Sequence, residues 1–143
     1  MGAVFLVHGA QKLFGLLGGP GISGTAKMLA SFGLPYSTPL AVILGVVEFG
    51  GGVLLLLGGA IVWASLALLL DVGLTVWKVH YPHGFTLAGG LAPGHGREGE
   101  FHLVLIGALL CLLLGGPGAW SLDERRSQNR EEQARGRARI RKV

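Results

Sequence analysis

A single cysteine, Cys111, stands among leucines in the stretch "ALLCLLL". It has no mate for an intramolecular disulfide, and no C-x-x-C pair exists, so dithiol exchange within this chain is excluded. A lone thiol in such surroundings is expected to serve as a small buried packing residue. Charge is equally scarce. Only 14% of residues are charged, whereas a soluble domain carries about 25%. The charge that exists is collected at one end. Residues 122–143 hold eight of the twelve basic and four of the eight acidic side chains, so the net charge of +4 belongs to that tail. Residues 1–121 are electrically balanced and mostly apolar. A nucleic-acid surface needs basic side chains over a folded face, and the body of this chain lacks them. The first residues also lack the basic region and small-residue cleavage site of a signal peptide.

What the chain has instead is apolar length and glycine: half its residues are hydrophobic and 26 of 143 are glycine. Four segments read as membrane-spanning helices, at about 1–17, 40–58, 61–80 and 101–116. A span needs roughly 20 residues, within about 17–25. The fold class expected is therefore all-α: an integral membrane bundle of four transmembrane helices over residues 1–121, followed by a basic polar tail at 122–143. The first segment is short and apolar from its first residue, which suggests a helix missing a turn or two through a late start. The arginine-rich tail should stay in the cytoplasm. Four crossings then place both termini inside the cell (inner) membrane, with loops 18–39 and 81–99 outside. Gly24 to Phe32 reads as a short interfacial helix. The loop holding His95, Arg97 and Glu98 has the glycines of a lid. The tail has too few apolar residues to fold alone. It reads as a solvated strip, a short charged helix on an anionic leaflet, or a docking strip for a soluble partner.

The few ionisable residues fall at similar depth. His8, Gln11 and Lys12 share one face of the first helix at spacings i, i+3 and i+4. With about 1.5 Å of rise per residue, Lys12, Glu48 and Asp71 all lie in the outer half of their helices. Thr75 and Lys78 continue the Asp71 face outward, and Glu100 and His102 begin the fourth helix. An isolated charge at mid-membrane costs on the order of 3 kcal/mol, so these groups should face one another, Lys12 pairing Glu48 and Lys78 serving Asp71 or Glu100. They either line a polar chamber that opens outward or form interhelical pairs that only lock the bundle. Gly45, Gly52 and Gly59 recur at seven-residue intervals on the Glu48 face, and together with Gly51 they should let backbones approach closely.

Metal and haem fit poorly. A zinc site needs three or four converging ligands, and Pro82 breaks helical geometry between His80 and His83. Only His8 and His102 could face a haem. A quinone or another amphipathic molecule suits apolar walls with a few polar groups better.

The stretches "HGAQKLFG", "FGLP", "VEFGGGVLLLLG", "HYPHGF" and "EGEFHLVLIGALLCLLLGGPGAWSLD" occur in the order seen in the DoxX family of small four-helix membrane proteins, which the chain resembles from Met1 to Asp123. The G-x-x-K of Gly9 and Lys12, the E-x-x-G-G of Glu48, Gly51 and Gly52, and the closing G-P-G-x-x-S-L-D carry the likeness. Two features depart from it. The first helix starts later than is usual, and Val62 and Trp63 stand where a basic residue is often found. The resemblance implies a membrane subunit or anchor of a redox complex, quinone-linked as in a thiosulfate:quinone oxidoreductase, or detoxifying, with protein partners in the bilayer and no nucleic acid. Small-solute export and a purely structural scaffold are the alternatives, and a homo-oligomer is compatible with short helices.

Overall fold

A computed structural model describes residues 1–80, 98–116, 118 and 121–140, side chains excepted at 79, 80, 98–100, 136 and 138–140. Every regular element among them is helical: α1 Gly2–Phe14, α2 Gly21–Ser31, α3 Ser37–Leu57, α4 Ile61–Thr75 running on into a π turn at Val76–His80, α5 Glu98–Gly115 and α6 Leu122–Ile140.

Helix α1 stops at Phe14, three residues before the sequence suggested. Gly15 takes the left-handed conformation (φ 66°) and its N–H donates to the Gln11 carbonyl at 3.1 Å, a glycine cap that ends the helix. A short 3-10 turn at Leu16–Gly18 then reverses the chain. The short helix expected within the 18–39 segment at Gly24 to Phe32 is present as α2, three residues longer at its start, and it packs onto the bundle. In α2, Thr25, Ala26 and Leu29 are buried, and Ala26 and Leu29 pack with Ala41 of α3 in a small second core that includes Ile22, Leu34, Leu40 and Leu44. Helix α3 begins at Ser37 rather than 40 and includes Pro39 in its first turn, where the missing N–H costs nothing.

Helices α1 and α3 run antiparallel in close contact, and glycine makes that possible. A Cβ on Gly9 would collide with the Phe49 backbone and one on Gly52 with the Leu6 backbone; one on Gly2 would lie 2.8 Å from the Gly52 carbonyl, and one on Gly45 2.7 Å from Leu13. Gly51 faces the other way, against Leu68 of α4. Gly59 departs from expectation. Because α3 ends at Leu57 with Gly58 left-handed (φ 67°), Gly59 lies in the turn, and a Cβ there would make only ordinary contacts at 3.9 Å.

The main core joins Phe5 of α1, Leu68 and Val72 of α4, and Leu105 and Leu109 of α5. The outer surface is apolar too: Leu70, Val104 and Leu114 are 70%, 68% and 85% exposed. Cys111 is also exposed, on the outside of α5 rather than packed in the core. Among the described residues two helices, Ser37–Leu57 and Ile61–Lys78, are long and apolar enough to cross a bilayer, with Phe101–Gly115 a shorter apolar helix.

The tail is helical from Leu122 to Ile140, and its start is pinned. Helix α4 has no side-chain cap of its own. Asp123 supplies one: the Ile61 N–H donates to Asp123 Oδ2 at 2.9 Å, and the Asp123 N–H donates to the Gly58 carbonyl at 3.1 Å. Ser121, just before α6, caps it: the Glu124 N–H donates to Ser121 Oγ at 3.1 Å, and within the helix Gln128 donates to Glu124 at 3.1 Å. The S-L-D of the closing motif is thus a joint between α6 and the α3–α4 turn. Backbone N–H groups of Ile61 and Ala60 hold the Asp123 carboxyl below its usual pKa.

Candidate functional site

The polar stripe of α1 faces inward. The Lys12 ammonium donates to Glu48 Oε1 at 2.6 Å, with the two side chains 21% and 7% exposed. The antiparallel α1–α3 register sets this meeting: Gly9 lies on Phe49 and Gly45 on Leu13 and Lys12, so Lys12 and Glu48 fall between the two glycine contacts. Asp71 of α4 is buried and lies within electrostatic reach of Glu48, Lys12 and His102, as His8 does of Lys12 and His102. Thr75 does not touch the Asp71 carboxylate; its hydroxyl donates to the Asp71 backbone carbonyl at 3.1 Å, one turn back along the helix. Lys78 does not reach Asp71 either. Its ammonium lies 4.6 Å from the centroid of the Trp77 ring, a cation–π contact. The His8 and Phe101 rings meet edge to face at 6.0 Å, tying α1 to α5.

These groups line one cavity of about 650 Å³. Helix α1 contributes His8, Gln11 and Lys12, α3 contributes Glu48, α4 contributes Asp71 and Thr75, the π turn contributes Lys78 and α5 contributes His102. Of the nine candidates read from the sequence, only Glu100 has a side chain that is not described; the same holds for the His80 side chain, while His83 and His95 lie outside the described residues. Most of the rest of the wall is apolar, with Phe5, Leu40, Leu44 and Leu105 lining it, and α2 and the residue that follows it cover it with Met28, Leu29 and Phe32.

Thr25 also lines the cavity and is fully buried. Sequence reasoning missed it, although its spacing from Ile22 and Leu29 places it on the packed face of α2. Among the described residues no group of three or more His, Cys, Asp or Glu side chains converges as a metal would require. The arrangement is an apolar container with a fixed ion pair and several hydrogen-bonding groups along one side. Such a container can hold a largely apolar molecule by its body and orient it by a polar head.

Comparison with known proteins gives two matches. A family model described as DoxX matches residues 1–81. The chain is 35% identical over 134 residues to the uncharacterized membrane protein Rv3486 of Mycobacterium tuberculosis, covering 90% of this chain and 77% of that one. No solved structure matches.

Proposed function

The chain belongs to the DoxX family, and on that premise we propose that it is a four-span membrane subunit or anchor of a redox complex whose cavity holds an amphipathic ligand of the quinone class. Helices α1, α3, α4 and α5 are its spans, the termini are cytoplasmic, and the cavity opens toward the outer face. The observation that carries this reading is the cavity itself: about 650 Å³ of mostly apolar wall with the buried Lys12–Glu48 pair inside it. An ammonium and a carboxylate held at this depth are costly unless paired, and a bundle that needed only packing could replace them with leucine. Around the pair, Gln11, His8 and His102 can hydrogen-bond ring oxygens.

Mass spectrometry of lipid-soluble molecules that co-purify with the protein tests the proposal. A quinone retained by the wild type and lost from Lys12→Met supports it. A preparation with no quinone, and no affinity for added quinone, leaves an anchor without its own chemistry. Solute flux through proteoliposomes would instead favour export.

A further inference from the structure

Two acid side chains meet inside the cavity. Glu48 of α3 and Asp71 of α4 are each more than nine-tenths buried, both line the cavity wall, and their carboxyl groups are hydrogen-bonded to each other. An ionised carboxylate can only accept a hydrogen bond, so a bond between two carboxyl groups contains a proton that one of them carries. Nothing else close by supplies that bond. Glu48 Oε2 and Asp71 Oδ1 meet no N–H or O–H donor among the described residues. The Thr75 hydroxyl, one turn along α4, donates to the Asp71 backbone carbonyl instead.

Charge balance points the same way. The Lys12 ammonium, 2.6 Å from Glu48 Oε1, offsets one carboxylate. With one proton between the two acids the three groups are neutral together; with none, a negative charge stays uncompensated in an apolar bundle, which is costly. The other titratable groups on the wall are His8 of α1, Lys78 of the π turn and His102 of α5. Lys78 lies over the Trp77 ring. An imidazolium at His8 or His102 is the competing countercharge, and it would leave Asp71 ionised. Because Glu48 already accepts from Lys12, Glu48 is the anion of the pair and Asp71 the acid.

We propose that Asp71 and Glu48 form an acid–carboxylate pair that holds one proton, on Asp71, open to exchange from the cavity. The pair is then the group through which the cavity gives a proton to a bound molecule or takes one from it. Giving the proton breaks the Asp71 O–H bond and forms one on an ionised oxygen of the ligand, leaving two carboxylates beside Lys12; taking a proton reverses the step. The matching ligand carries an oxygen that gains or loses a proton, as the ring oxygens of a quinone-class molecule do. That choice of ligand rests on the quinone-class reading, whereas the proton itself is present with the cavity empty.

Infrared spectroscopy of the full chain at neutral pH, in dodecyl maltoside (a detergent without carbonyl groups), tests this without any ligand. The C=O stretch of a protonated carboxyl group is expected. It should shift in heavy water, shift again when the aspartate carboxyls carry carbon-13, and vanish in Asp71→Asn. The label is selective: aspartate occurs only at 71 and 123, and backbone N–H groups hold Asp123 in its ionised form. No such band means that both carboxyls are ionised with a histidine as second countercharge, and overturns the shared proton. A band blind to the aspartate label places the proton on a glutamate and overturns its assignment to Asp71. A band unmoved by heavy water is a sealed structural bond and overturns exchange. If Asp71→Asn does not fold, the label decides. None of these results bears on the quinone-class reading, which co-purification decides separately.

Discussion

An ammonium and a carboxylate 2.6 Å apart in an apolar bundle depend on each other, because removing either leaves the other buried without a countercharge. Lys12→Met or Glu48→Gln alone should lower stability by about 3–5 kcal/mol, and the double substitution should recover most of it. Thermal unfolding in detergent measures both; singles that match the wild type would mean the ion pair contributes little. The pair was legible in the sequence because an ionisable residue inside an apolar helix has few places to find a partner. The Lys78 contact with the adjacent Trp77 ring was not, because rings near a lysine are common in any interfacial sequence; of its two expected partners, Asp71 is not reached and the Glu100 side chain lies outside the described residues. Cys111 was misplaced for a related reason. Leucine flanks a core residue and a lipid-facing residue alike, so flanking apolarity does not reveal which way a side chain points. Outside the core, Cys111→Ala should leave stability and ligand affinity unchanged, and the native thiol should react with a maleimide in detergent without unfolding.

Helix contacts show a second limit of the sequence pattern. The seven-residue glycine spacing marked Gly45 and Gly52 correctly, but it continued to Gly59, which lies past the left-handed Gly58 that ends α3. It also missed their counterpart on α1, where Gly2 and Gly9 meet the Gly52 and Phe49 backbones. A spacing identifies a face; only the neighbouring helix identifies the contact. Gly9→Ala and Gly52→Ala should each cost more than 2 kcal/mol through overpacking against backbone. Gly50→Ala, with open space at the Cβ position, should be neutral or stabilising by up to about 1 kcal/mol from helix propensity. Equal effects at the three sites, measured by chemical denaturation, would remove close backbone approach as the cause. The joint at Asp123 was not legible at all, since its partners lie some sixty residues upstream. Its carboxyl pKa is depressed in the folded protein, so its stabilisation is fully present above the unfolded value of about 3.9 and is lost as pH falls through the lower folded value. Unfolding scans from pH 6 downward should show that loss in the wild type and a smaller one in Asp123→Asn.

The whole molecule was legible in outline because apolar length and a charge-poor body demand helices in a lipid-like environment. What the sequence concealed was the cover: α2 folds back on α1 and α3 and closes a second core, turning a polar stripe into the wall of a cavity. The helix itself was legible at Gly24 to Phe32, but an apolar face suits a membrane interface as well as a packed bundle, so the pattern did not announce that packing. The proposed orientation, with the arginine-rich end in the cytoplasm, requires that reporters fused after Val143 be active only inside the cell. External activity would turn the cavity toward the cytoplasm. The most direct test of a ligand in the cavity is photo-crosslinking with an azidoquinone in nanodiscs, followed by peptide mapping. Label is expected on α1, α2 and the turn bearing Trp77, and excess unlabelled quinone should compete it away. Label confined to the outward faces of α4 and α5, around Leu70, Val104 and Leu114, would contradict a cavity-bound ligand.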